Sequence, residues 1–103
     1  MQESKKEDGS INIELSPEIA EGTYSNLAII NHSNSEFVVD FVNIMPGVPK
    51  AKVKSRIVLT PQHAKRLAQA LIDNIKRFEA QVGEIKEFEQ QDFPINFGPV
   101  GEA

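Results

Sequence analysis

The stretch TPQHAKRLAQALIDNIKRFEAQVG, residues 60–83, decides the fold. Thr60 offers a hydroxyl to the free N–H groups of a helix start, and Pro61 suits the first helical position, where no donor is needed. Gly83 closes the segment. Between these ends Ala64, Ala68, Leu71, Ile75, Phe78 and Val82 recur at steps of four and three, with Leu67 and Ile72 widening the stripe. Lys65, Gln69, Asp73 and Lys76 fall elsewhere on the wheel, so the spacing predicts one long amphipathic helix. Its apolar stripe needs a cover. One cover is the face of a sheet; another is the same helix of a second copy, because the steps are those of a coiled-coil seam. Both can hold if the stripe is wide enough.

Working back from Thr60, Ala51 to Leu59 alternates as a strand, and Met45-Pro46-Gly47-Val48-Pro49 before it is a turn. Tyr24 to Asn31 and Glu36 to Ile44 are rich in Ile, Val and Phe and are separated by His32-Ser33-Asn34-Ser35, the pattern of a β-hairpin. Ile11, Ile13 and Leu15 alternate with Asn12 and Glu14, which predicts a further short strand ended by Ser16-Pro17. Pro17 to Gly22 fits a single helical turn capped by Ser16, but it is too short to count as an element and is read as a connection. The expected fold is therefore α+β: an antiparallel β-meander of three to four strands followed by one long C-terminal α-helix packed on the sheet. Residues 1–9 are expected to be a disordered tail, 10–83 a single domain, and 84–103 an extended or flexible tail. In that tail Phe93, Ile95 and Phe97 would lie on one side of an extended segment and could add to an exposed sheet edge, of the same or a neighbouring chain.

A chain of 103 residues with polar ends has about 70–75 residues left for a core. Small cores are marginal, so self-association into a homodimer is expected. The absence of cysteine removes disulfides, Cys-zinc sites and thiol chemistry. Met1 is followed by polar residues, and no apolar run reaches membrane-spanning length. A soluble cytoplasmic protein with no membrane role is expected. The formal charge of −4 argues against indiscriminate binding to nucleic acid or anionic lipid.

Between residues 24 and 79 run Tyr24-Ser25-Asn26, Ser35-Glu36-Phe37, Asp40-Phe41, Pro46-Gly47-Val48-Pro49-Lys50-Ala51 and Arg56-Ile57-Val58-Leu59-Thr60-Pro61-Gln62-His63-Ala64-Lys65. In this order they resemble a family of small bacterial and archaeal proteins catalogued as a domain of unknown function. The resemblance implies a common domain, and it brings no activity, ligand or functional residue with it.

Chemistry is sparse in the sequence. His32 lies in a polar turn and His63 in the first turn of the helix, neither with a second ligand at metal spacing. No nucleophile motif or phosphate loop is present, so no catalytic residue, metal or cofactor is assigned and no enzymatic role is expected. Lys50, Lys52, Lys54 and Arg56, by contrast, occupy every second position, and a regular pleat would put all of them on one face. Such a ladder is either a solvated face that guards an edge strand, or a platform for an anion or nucleic acid.

The hairpin register decides what accompanies it, and two registers fit. If Asn43 faces Val53, then Phe37, Val39 and Phe41 join Val53, Ile57 and Leu59 in the core, and Asp40 lies across from Arg56 on an outer face suited to a dimer interface. If Val42 faces Val53, then Phe37 and Phe41 share a face with Lys52, Lys54 and Arg56, an aromatic and cationic surface of the kind that stacks single-stranded bases. The first keeps a compact aromatic core and is preferred. The functional expectation is a homodimeric, non-enzymatic binding or scaffolding protein with an unknown protein partner. The alternative is a single-stranded nucleic-acid binder that uses Lys50, Lys52, Lys54 and Arg56 with Phe37 and Phe41.

Overall fold

The computed structural model describes residues 9–87. Its elements are α1 (Pro17–Ala20), β1 (Leu27–His32), β2 (Phe37–Asn43), β3 (Lys52–Leu59) and α2 (Pro61–Gln81). The chain divides into two units: Met1–Lys65 holds the sheet and Arg66–Ala103 most of α2. The arrangement is α+β, an antiparallel sheet in the order β1-β2-β3 followed by a helix.

The β1–β2 hairpin is fastened at both ends by polar side chains. At its tip the Ser33 amide donates to the Glu36 carbonyl at 2.9 Å, while the Ser33 hydroxyl accepts from the amides of Ser35 and Glu36 at 3.2 and 3.3 Å. A serine turn of this kind satisfies backbone groups that a tight reversal would strand. At the open end the Asn26 side chain imitates one more rung of ladder: its Oδ1 accepts from the Ile44 amide at 2.8 Å and its Nδ2 donates to the Ile44 carbonyl at 2.9 Å. The Ser25 hydroxyl shares its one proton between the carbonyls of Leu27 and Val42, both 3.0 Å from Oγ. Asn26→Ala removes two of these bonds without touching the apolar faces, so we expect a loss of about 1–2 kcal/mol, measured as a lower urea midpoint.

Between β2 and β3 the Val48 amide donates to the Met45 carbonyl at 3.2 Å, with Pro46 and Gly47 in the turn. Gly47 has φ +79°, the left-handed conformation that this turn position requires and that glycine adopts without a Cβ penalty.

The β2–β3 pairing contains both registers allowed by the sequence. Phe37 opposes Leu59, Val39 opposes Ile57, Asp40 opposes Arg56 and Phe41 opposes Ser55; then the pairing slips, so that Val42 opposes Val53 and Asn43 opposes Lys52. The slip lies between Phe41 and Val42 and leaves Lys54 as the extra residue, a β-bulge. One face of the sheet thus carries Ala28, Ile30 and His32 with Phe37, Val39, Phe41 and Asn43 and with Lys52, Ser55, Ile57 and Leu59. The other carries Leu27, Ile29, Val38, Asp40, Val42, Val53, Arg56 and Val58. Val53, assigned to the aromatic face by the preferred register, lies on the opposite one, because the bulge inverts the alternation beyond it.

Two further expectations differ from the structure. Ile11, Ile13 and Leu15 belong to no strand among the described residues and are 80%, 91% and 69% exposed. Alternation marks which side chains of an extended segment share a face, but a strand forms only where an edge is placed to pair with it. Among the described residues the sheet accordingly has three strands. The segment after Leu15, read as a connection, contains the short helix α1, whose N-cap Ser16 accepts from the Ile19 amide at 3.3 Å.

Helix α2 begins and ends where its sequence directs. The Thr60 hydroxyl accepts from the His63 amide at 3.1 Å, and Pro61 is the first helical residue. At the other end Gly83 has φ +135°, and Glu79 accepts from the Ile85 amide at 2.9 Å. No residue of α2 is buried, and Leu71, Phe78 and Val82 are 57%, 47% and 69% exposed. Periodicity fixes which side chains share a helix face; it does not say which surface, own or foreign, meets that face.

Candidate functional site

The basic residues of β3 were expected to form one ladder, and the bulge divides it. Lys50 precedes the strand, Lys52 stands opposite Asn43 on the face of Phe41 and Phe37, Lys54 is the bulged residue, and Arg56 stands opposite Asp40 on the other face. A bulge adds one residue to a strand and so reverses the facing of everything beyond it. Lys52 and Arg56 therefore point to opposite sides despite their even spacing. Phe37 and Phe41 are half-buried, and Phe37 stacks on His32 with ring centroids 5.2 Å apart and an interplanar angle of 27°.

Arg56 is engaged in a two-pronged ion pair. Its Nε donates to Asp40 Oδ1 at 2.7 Å and its terminal nitrogen to Oδ2 at 2.8 Å. Asp40 sits in the central strand between Ile29 of β1 and Arg56 of β3, with 0% of its surface exposed. The planar guanidinium matches both carboxylate oxygens at once, which satisfies a charge that burial would otherwise penalise. Hydrogen bonding from Arg56 holds the Asp40 carboxyl below its ordinary value of 3.8; burial opposes this, and the nearby positive charge reinforces it. The carboxylate expected on an outer face is the most completely covered side chain described, with Arg56 bonded to both of its oxygens. Among the described residues the buried apolar side chains are only Val39 and Val42, one on each face of β2.

The sequence missed the closing role of Ser25 and Asn26, although an Asn immediately before an apolar run is a signal for side-chain pairing with backbone. Among the described residues no group of three or more His, Asp or Glu side chains could hold a metal ion, and no helix is long and apolar enough to cross a membrane. Phe93, Ile95 and Phe97 lie outside the described residues. What remains prominent is apolar surface: the α2 stripe, Ile30, Ile57 and Val58 on the sheet, and Ile11, Ile13 and Leu15 before it.

A bulged, antiparallel three-stranded meander followed by one long helix, with an ion pair in its central strand, defines a small α+β protein that presents apolar faces. The chain belongs to the family described as protein of unknown function DUF3467, which matches residues 1–87. No curated protein and no solved structure matches it.

Proposed function

We propose that this chain is a homodimeric, non-enzymatic binding or scaffolding protein of the cytoplasm, whose further partner is another protein. The observation that carries this reading is that α2 has no buried residue although it bears a continuous apolar stripe. Removal of apolar area from water is the main favourable term in folding and in association, and contiguous exposed apolar surface marks an interaction site. A second copy is the partner that is always present. Sedimentation of the intact chain over a wide concentration range tests this: a concentration-dependent dimer is expected, and a monomer throughout would overturn the assembly.

A second reading, a single-stranded nucleic-acid binder, is favoured by Lys52 sharing a face with Phe41 and Phe37. It is weakened by Arg56, which lies on the opposite face in an ion pair with Asp40. Titration with single-stranded DNA and RNA at two salt concentrations separates the readings. We expect no salt-sensitive binding; binding that weakens with salt and disappears in Lys52→Glu/Lys54→Glu would install the second reading in place of the first.

A further inference from the structure

Resting on the homodimer reading, we infer that two copies of α2 pair with each other and that they run antiparallel. The stripe residues Ala64, Ala68, Leu71, Ile75, Phe78 and Val82 are graded in size along the helix: the small side chains stand at its N-terminal end and large ones at its C-terminal end. Antiparallel packing sets Ala64 against the partner's Val82, Ala68 against the partner's Phe78 and Leu71 against the partner's Ile75. Every layer then combines a side chain from each half of the gradient, and the summed volumes vary less along the seam than in a parallel pair. Parallel packing would instead stack alanine on alanine at one end and Phe78 on the partner's Phe78 at the other. The first would leave gaps and the second would splay the helices, because interiors tolerate neither voids nor overpacking.

The flank of the stripe makes the same choice independently. Lys65, Ile72 and Glu79 are spaced seven apart and so line one side of the seam. In the antiparallel pair this column meets itself reversed: Lys65 faces the partner's Glu79, and Ile72 meets the partner's Ile72 near the two-fold axis. Glu79 uses one carboxylate oxygen to hold the Ile85 amide at 2.9 Å, and its second oxygen can receive the lysine. In a parallel pair the column would face Leu67, Asn74 and Gln81, which carry no charge. Opposed helix dipoles add a small preference of the same sign.

The chain has no cysteine, so the arrangement can be read by cross-linking. Ala64 and Val82 are separated by about 27 Å along one helix at 1.5 Å per residue, far beyond disulfide reach. Three variants are compared under mild oxidation: Ala64→Cys, Val82→Cys and the double variant, each with its association state measured by sedimentation. The expected result is a covalent dimer for the double variant and none for either single one. Covalent dimers from the single variants would show parallel helices and overturn the inference. Non-covalent dimers with no cross-link in any variant would also overturn it, placing the interface elsewhere while leaving the homodimer standing. Monomers of the unmodified protein would remove both.

Discussion

Phe78→Glu is expected to weaken the dimer by about 100-fold or more in Kd, while Lys76→Glu, on the opposite side of the same helix, leaves association unchanged. Phe78 is 47% exposed in the single chain, so a partner that covers the rest gains about half of the 1.5–3 kcal/mol that attends full burial of such a side chain. Two-fold symmetry makes each substitution count twice, which brings the apolar loss to about 1.5–3 kcal/mol. Glutamate adds the cost of drawing a charge out of water, and each 1.4 kcal/mol is about a tenfold change in Kd. Equilibrium sedimentation of the two variants beside the unmodified protein gives the answer. Equal association by all three would remove α2 from the interface.

How far the residues spoke for themselves differs from one element to the next, for physical reasons. Thr60, Pro61 and Gly83 mark the ends of α2 because caps are local: the hydroxyl, the missing donor and the tolerance of positive φ act within a turn of where they stand. The hairpin was equally legible, since Ser33 and its neighbours form the turn with nearby backbone. The register of β2 on β3 was not. Both candidate pairings are present, joined at Lys54, because a bulge is decided by how a twisted strand meets its neighbour and leaves no mark on the alternation of the strand that carries it. One consequence reaches the candidate site directly. The even spacing of Lys52 and Arg56 reads as a shared face, and the bulge places them on opposite ones. Ile11, Ile13 and Leu15 show the same limit from the other side, a correct alternation in a segment that belongs to no strand among the described residues.

The ion pair between Asp40 and Arg56 yields the second large effect, on stability. Asp40 was legible as the residue facing Arg56 and illegible as a covered one, because opposition follows from register whereas burial follows from how surrounding side chains settle over the strand. Arg56→Met keeps a long side chain over the strand but strands the Asp40 carboxylate, and an unsatisfied covered polar group costs about 1–3 kcal/mol. Asp40→Val/Arg56→Met, which removes both charges and suits a β-strand, is expected to recover most of that loss, since apolar replacements of buried ion pairs are often neutral or better. Urea titrations of the single and double variants measure this. A double variant no more stable than Arg56→Met would mean that the stranded charge is not what the single change costs.

The pH dependence gives a second signature whose sign can be worked out. In the unmodified protein the Asp40 carboxyl titrates below its ordinary value of 3.8, so its contribution is complete above that pH and fades as pH falls through the folded value. Without the arginine only burial acts on the carboxyl, which favours its protonated form and reverses the slope. Stability of Arg56→Met should thus rise on mild acidification over the range in which the unmodified protein holds level or declines, relative to the double variant as baseline. Parallel pH profiles for the two proteins would show that Arg56 does not govern the charge of Asp40.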